Sequence, residues 1–258
     1  MRLIASIPPQ QNSQNLSTVV DDINQDYLVN HPFKSQDSYH NTENLLAHYL
    51  AMSLAFPYLQ AGSQANYILN IIEQNSDIPR EFEKTSVVGN FLSWDETGGL
   101  FVLEQQGKPA LAKILETQKW FHGNLLRNDL RTLFGRDIKP NFSDPTKTYL
   151  QALFSGLGHT CHITRCAYML SFENHAFAMI DALWETLASR YSDRIEKNGL
   201  VYFNCHVGGD DPAEIYHTEM TAKLLEDIVE PQSLDTFIEA YKYALKLHID
   251  WCSQLLSV

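Results

Sequence analysis

Two stretches put ionisable side chains where a helical pattern calls for apolar ones. In "AYMLSFENHAFAMIDALW", Met169, Phe172, Ala176, Phe177 and Ile180 recur at helical spacing, and Glu173 falls inside the face they make. An isolated buried carboxylate is costly, so Glu173 must be neutralised, paired or bound to a metal. In "WFHGNLLRNDLRTLFG", Phe121, Leu125, Leu126, Leu130 and Leu133 define a buried stripe, and His122 lies on it. Taken alone, a histidine there is more often a hydrogen-bonded core side chain than a ligand.

A third stretch, "YFNCHVGGDDPAEIYH", gathers His206, Asp210 and His217 around a helix break. At about 100° per residue, Asp210 lies about 40° around a helix from His206, and His217 about 20° from His206. The rise defeats a straight helix, because seven residues from Asp210 to His217 span roughly 10 Å, too far for one compact metal site. "DPAE" offers a restart, with Asp211 as N-cap, Pro212 at N1 and Glu214 at N3. Gly208 and Gly209 would let the helix stop, and the restart would return His217 to Asp210. Ordinary helix termination, with both aspartates solvated, is the other reading of the same residues.

The elements that must position these groups are helical nearly everywhere. Leu45, Leu46, Tyr49, Leu50 and Leu54 predict an amphipathic helix capped by Asn41 or Thr42. Similar periodicity runs through "ANYILNIIEQ", "PALAKILETQKWFHGNLLRNDLRTLFG", the whole of "TYLQALFSGLGHTCHITRCAYMLSFENHAFAMIDALWETLASRY" and "LDTFIEAYKYALKLHIDWCSQLL". No alternating strand series competes with it. The breaks at "NSDIPR", "DETGG", "QQGKP", "GRDIKPNFSDPTK" and "EKNG" are too evenly scattered to mark one interdomain linker. The expectation is a single all-α bundle over residues 31–258, preceded by a flexible polar arm over residues 1–30.

The 258 residues, 44% of them apolar, can bury a substantial core. Thirty-one acidic against 19 basic residues, a formal charge of −12 and no basic run argue against a nucleic-acid partner. No apolar run reaches the roughly 20 residues of a membrane span, and the polar N-terminal stretch lacks a secretory core. Cys161, Cys166, Cys205 and Cys252 are too few for a disulfide framework. A cytoplasmic location is expected from these features.

Together, these residues resemble the heme-oxygenase-like metal oxidases, relatives of the CADD-like and TenA-like proteins. "VGNFLSWDETGG" is similar to the family's segment around its first Glu, here Glu96. "FHGNLLRNDLRTLFG" is similar to the segment opening on the first His, here His122, and "YMLSFENHAF" to the central-Glu helix, here Glu173. "YFNCHVGGDD…YH" resembles the final motif, giving His206, Asp210 and His217. The resemblance covers about residues 40 to 250 and implies a heme-oxygenase-like helical bundle. The final interval is about one helical turn longer than the family's, which offers Glu214 as a substitute ligand.

The implied set is three carboxylates and three imidazoles, a donor chemistry that favours iron or manganese over a thiolate-bound zinc. Six donors can hold two Fe²⁺ ions with positions left for O₂. The resemblance therefore implies an O₂-dependent diiron oxidase or oxygenase acting on a small organic acid or amine. N-oxygenation, oxidative C–C cleavage and desaturation are all open, as is a homodimer.

Three other readings compete with this one. "HTCHITRC" carries His159, Cys161, His162 and Cys166, but on a continuous helix these point around much of the circumference, which disfavours a zinc site. Cys205 beside His206 would suit a TenA-like cysteine hydrolase, although helical neighbours face apart. A non-catalytic CADD-like interaction module would keep the polar residues as a vestigial site. Trp94, Trp120, Trp184, Tyr202 and Tyr216 read as core aromatics.

Overall fold

A computed structural model describes residues 10–35, 39–99, 117–195, 199–207 and 213–258. The described residues form nine α-helices and no strand. They are α1 (Gln10–Leu28), α2 (Thr42–Gln74), α3 (Arg80–Glu96), α4 (His122–Phe134), α5 (Thr146–Leu157), α6 (His162–Arg190), α7 (Val201–Val207), α8 (Ala213–Ile228) and α9 (Leu234–Leu255). Short 3-10 turns cover Pro32–Lys34 and Pro231–Ser233. No helix among the described residues is long and apolar enough to cross a membrane.

Helix α6 is the axis of the bundle, with α9, α8, α7, α5 and α3 packed around it. Its buried residues include Arg165 to Glu173, His175, Met179, Ile180, Leu183 and Leu187, which is most of its circumference. The exposed exception is the stripe that holds Phe177, with partly exposed Asn174 and Asp181 on either side. Phe177 is 57% exposed, so it does not belong to the apolar face on which the sequence placed it.

Helix α2 starts where the sequence predicts, with Asn41 Oδ1 accepting from Asn44 N–H at 3.1 Å. It ends at Asn75, whose φ of 48° is the left-handed cap. The 33-residue helix packs on α3, α4 and α5. Midway, Pro57 has no N–H to offer the Ser53 carbonyl, and its own carbonyl accepts from Ser93 Oγ at 2.8 Å, tying α2 to α3.

Two expectations change. Part of the polar arm is helix α1, which buries Leu16, Val20 and Ile23 against α9, α6 and α8. Those three residues have helical spacing, a signal that the surrounding Gln, Asn and Ser masked. The run from Thr148 to Tyr191 is two helices, not one, because the chain leaves helical geometry between Gly158 and Cys161. Gly156, just before the break, is where α5 meets α6: an added Cβ would sit 2.1 Å from the Tyr168 ring. The angular argument about His159, Cys161, His162 and Cys166 therefore loses its continuous helix. Even so, these four do not form a metal-donor cluster among the described residues.

Candidate metal centre

The end of α3 and the segment that leads into α4 approach each other at Gly98. Helix α3 ends at Glu96; two residues on, Gly98 has a φ of 71°, and its N–H closes on the Asp95 carbonyl at 2.7 Å. A Cβ on Gly98 would stand 2.7 Å from Trp120 Cβ and 3.0 Å from the Thr117 carbonyl oxygen. This close crossing sets His122, the first residue of α4, against Glu96, the last of α3. His122 Nδ1 lies 3.2 Å from Glu96 Oε2.

A second carboxylate–imidazole pair sits across the site. Glu173, mid-way along α6, places Oε2 3.2 Å from Nδ1 of His217 on α8. His217 Nε2 meets Asp95 Oδ2 at 2.8 Å, so the ring is held between two carboxylates. Asp95 is 1% exposed, and its other oxygen, Oδ1, is buried without a hydrogen-bond partner.

His206, on the short helix α7, completes the group. Its ring crosses that of His122 edge-on, with centroids 4.9 Å apart. Its Nδ1 is 2.7 Å from the Tyr202 carbonyl, which can only accept, so the proton is on Nδ1 and Nε2 is the lone-pair nitrogen. Helix α7 is itself held by Asp129 of α4, whose Oδ1 and Oδ2 accept from Val201 N–H at 2.9 Å and Phe203 N–H at 3.3 Å.

Glu96, Glu173, His206 and His217 line one cavity of about 30 Å³ with Tyr49, Met52, Ser53, Phe56, Tyr202 and several apolar side chains. Phe56 and Phe172 stack at 3.7 Å to form part of its wall. The Tyr49 and Tyr202 hydroxyls are 2.6 Å apart. Burial would raise the Glu96 carboxyl, but the imidazoles of His122, His206 and His217 outweigh it and hold the group below its ordinary range.

The site thus gathers five of the residues singled out in the sequence: Glu96, His122, Glu173, His206 and His217. Asp210 and the side chain of Glu214 lie outside the described residues. The expected break at Gly208 and Gly209 lies outside the described residues; helix α7 is described to Val207 and α8 from Ala213, and both His206 and His217 reach the same cavity. Tyr202, read as core, is a cavity wall, whereas Tyr216 is 49% exposed. Trp120 and Trp184 pack against the core.

Sequence reasoning missed Asp95 and Asp129, although each carries the signal that exposed Glu173. Asp95 continues the buried face Phe82, Val88, Leu92 of α3, and Asp129 lies between Leu126 and Leu133 on the buried stripe of α4. It also missed a different donor set, His31, His175 and Cys252, whose candidate ligand atoms lie within 4.8 Å of one another.

The residues fit a divalent metal on chemical grounds. Two donors about 2.1 Å from a shared ion at a right angle stand about 3.0 Å apart, close to both carboxylate–imidazole separations here. No protein-family model and no curated protein matches this chain. Two crystal structures of a CADD-like protein of unknown function from Nostoc punctiforme PCC 73102 are similar to it. One has a TM-score of 0.68 at 12% identity, covering 95% of this chain and 98% of that one. The other has a TM-score of 0.56 at 11% identity, covering 95% of each chain. At these identities the likeness is one of architecture, and the chain has the all-α, CADD-like helical fold.

Proposed function

We propose that the protein is an O₂-dependent oxidase or oxygenase that uses two ferrous ions, with manganese as the alternative metal, on a small organic acid or amine. The observation that carries this reading is the pair of separate carboxylate–imidazole contacts, Glu96–His122 and Glu173–His217, both 3.2 Å and both beside one cavity. Each pair would hold one ion, His206 would supply Nε2 as a further donor, and Asp210 is proposed as the third carboxylate. When bound, the ferrous ions would supply the electrons that reduce dioxygen.

The protein's own residues do the remaining work. Asp95 fixes the His217 ring through Nε2–H, so that Nδ1 is the ligand nitrogen facing Glu173. Met52, Phe56, Phe172, Ala176, Met179 and Ile180 make the far wall apolar and keep bulk water away from the reacting atoms. A cavity of about 30 Å³ has room for one or two water-sized molecules, so substrate entry has to displace side chains. Met52, with three flexible torsions, is the wall residue best able to move. The Tyr49–Tyr202 pair places two phenolic protons at the same cavity.

The test is anaerobic Fe(II) titration of metal-free protein, counting iron per chain and following oxygen consumption on exposure to air. Wild type is expected to hold near two irons and to give an O₂-dependent optical transient, with both lost in Glu173→Ala. If neither protein holds stoichiometric iron, the oxidase reading is wrong and a non-catalytic module takes its place.

A further inference from the structure

We infer a second, chemically distinct metal site in the core, in which His31, His175 and Cys252, with Met179, bind one cuprous ion. The three primary donors come from three places: the turn before α2, the middle of α6, and α9. His31 Nε2 lies 3.1 Å from His175 Nε2, and Cys252 Sγ lies 3.7 Å from the same nitrogen. Around an ion with M–N about 2.0–2.1 Å and M–S about 2.3 Å, tetrahedral angles give separations of about 3.3 and 3.6 Å. Two of the three spacings match a shared ion, and His31 and Cys252, on either side of His175, lie within 4.8 Å of each other, so the His31 ring closes on the ion as it binds. Met179 Sδ is 3.8 Å from Cys252 Sγ, which puts a thioether beside the thiol as a fourth, weaker donor.

The choice of metal follows from softness and charge. Two imidazoles, one thiolate and one thioether form the donor set that selects copper among first-row metals. All four residues are buried, from 0% to 2% exposed, with no carboxylate in the donor set. One thiolate cancels the charge of Cu⁺, whereas Zn²⁺ or Cu²⁺ would leave a net positive charge in the core. Binding replaces the thiol proton: Cu⁺ and Cys252–SH give Cys252–S–Cu and one released H⁺, with no electron transferred.

The rings also say what coordination changes. His31 Nδ1 accepts from Phe33 N–H at 3.2 Å, so the proton is on Nε2 and points at His175 Nε2. That in turn assigns the His175 proton to Nδ1, an atom buried without a hydrogen-bond partner. A His31 ring that binds through Nε2 carries its proton on Nδ1, so the Phe33 amide must turn away. The segment that has to yield is the three-residue turn Pro32–Lys34, the only part of the donor framework outside a long helix. Metal entry is therefore linked to release of that cap.

The experiment is anaerobic Cu(I) titration of the full chain in competition with a bathocuproine chelator, with X-ray absorption of the loaded protein. The expected result is one Cu(I) per chain in a shell of two nitrogens and one or two sulfurs, and a shifted Phe33 amide resonance on loading. Cys252→Ser is expected to lose at least 100-fold in affinity, and the volume-conserving Met179→Leu several-fold. Glu173→Ala is expected to keep the copper, which separates this site from the carboxylate one. Failure of wild type to compete with the chelator overturns the inference, as does a sulfur-free shell, Cys252→Ser with wild-type affinity, or Zn(II) held in preference. If Cys252→Ser does not fold, the wild-type absorption shell and Met179→Leu decide.

Discussion

Glu173 and His175 stand two residues apart on α6 and face two different clusters of buried side chains. Two residues turn a helix by about 200°, so one side chain faces α3 and α8 and the other faces α9 and the His31 turn. On the Glu173 side the donors are carboxylates and imidazoles, and they border a cavity. On the His175 side they are imidazoles and sulfur, closed from solvent. The difference shows what one central helix can do: the same burial tolerates carboxylates where imidazoles meet them, and elsewhere leaves a cluster with no carboxylate at all.

The sharpest way to break that comparison is to cross the two sites. Glu173→Ala is expected to abolish iron binding and leave copper untouched. His175→Ala is expected to abolish copper binding and leave iron at near two per chain. Metal analysis of both variants under both loading conditions checks this. A variant that loses both metals would mean that one site depends on the other, and the two-site picture would fail.

A smaller effect tests how the carboxylate site is held together. Asp95 touches neither cavity nor proposed ion, and acts through His217. Replacing such a supporting carboxylate typically costs about 10- to 100-fold in metal affinity. Asp95→Asn should weaken Fe(II) binding by that amount while Cu(I) affinity stays at the wild-type value. Since Asn retains an acceptor oxygen, Asp95→Asn is also expected to bind iron more tightly than Asp95→Ala. Equal losses in the two variants would show that the charge of Asp95, not its acceptor oxygen, acts on His217, and an Asp95→Asn variant with wild-type affinity would show that Asp95 only fills space.

The sequence exposed the first cluster far better than the second, for physical reasons. Glu173 and His122 interrupt apolar faces, and an ionisable group on such a face is visible as a mismatch. His31 has no such background, because it precedes a proline in a short turn whose partners are 144 residues away. His175 and Cys252 sit on helices already rich in buried residues, and nothing local joins them. The fold class was legible from periodicity alone, but the break between α5 and α6 was not. Gly158 and Cys161 lie within an apolar rhythm that continues on both sides, and only the close crossing of Gly156 on Tyr168 shows why the chain must turn there.

The smallest effect concerns Asp129, which positions the carboxylate site from one step further away. It caps α7 from α4 and thereby sets where His206 begins its turn. Removing a cap of this kind costs about 0.5–2 kcal/mol, so Asp129→Ala should lower the urea midpoint without changing the copper site. Burial pushes the Asp129 carboxyl up to about 7, against the pull of the Phe203, Val201 and Tyr202 amides. An unfolded aspartate titrates at about 3.9, so between these values the folded chain binds the extra proton. Stability from this group is therefore complete below about pH 4 and declines as pH rises through 7. Asp129→Asn, which cannot ionise, should flatten that part of the stability profile. An unchanged slope would mean that the two α7 amides keep Asp129 ionised, and that His206 is held by a charged cap throughout.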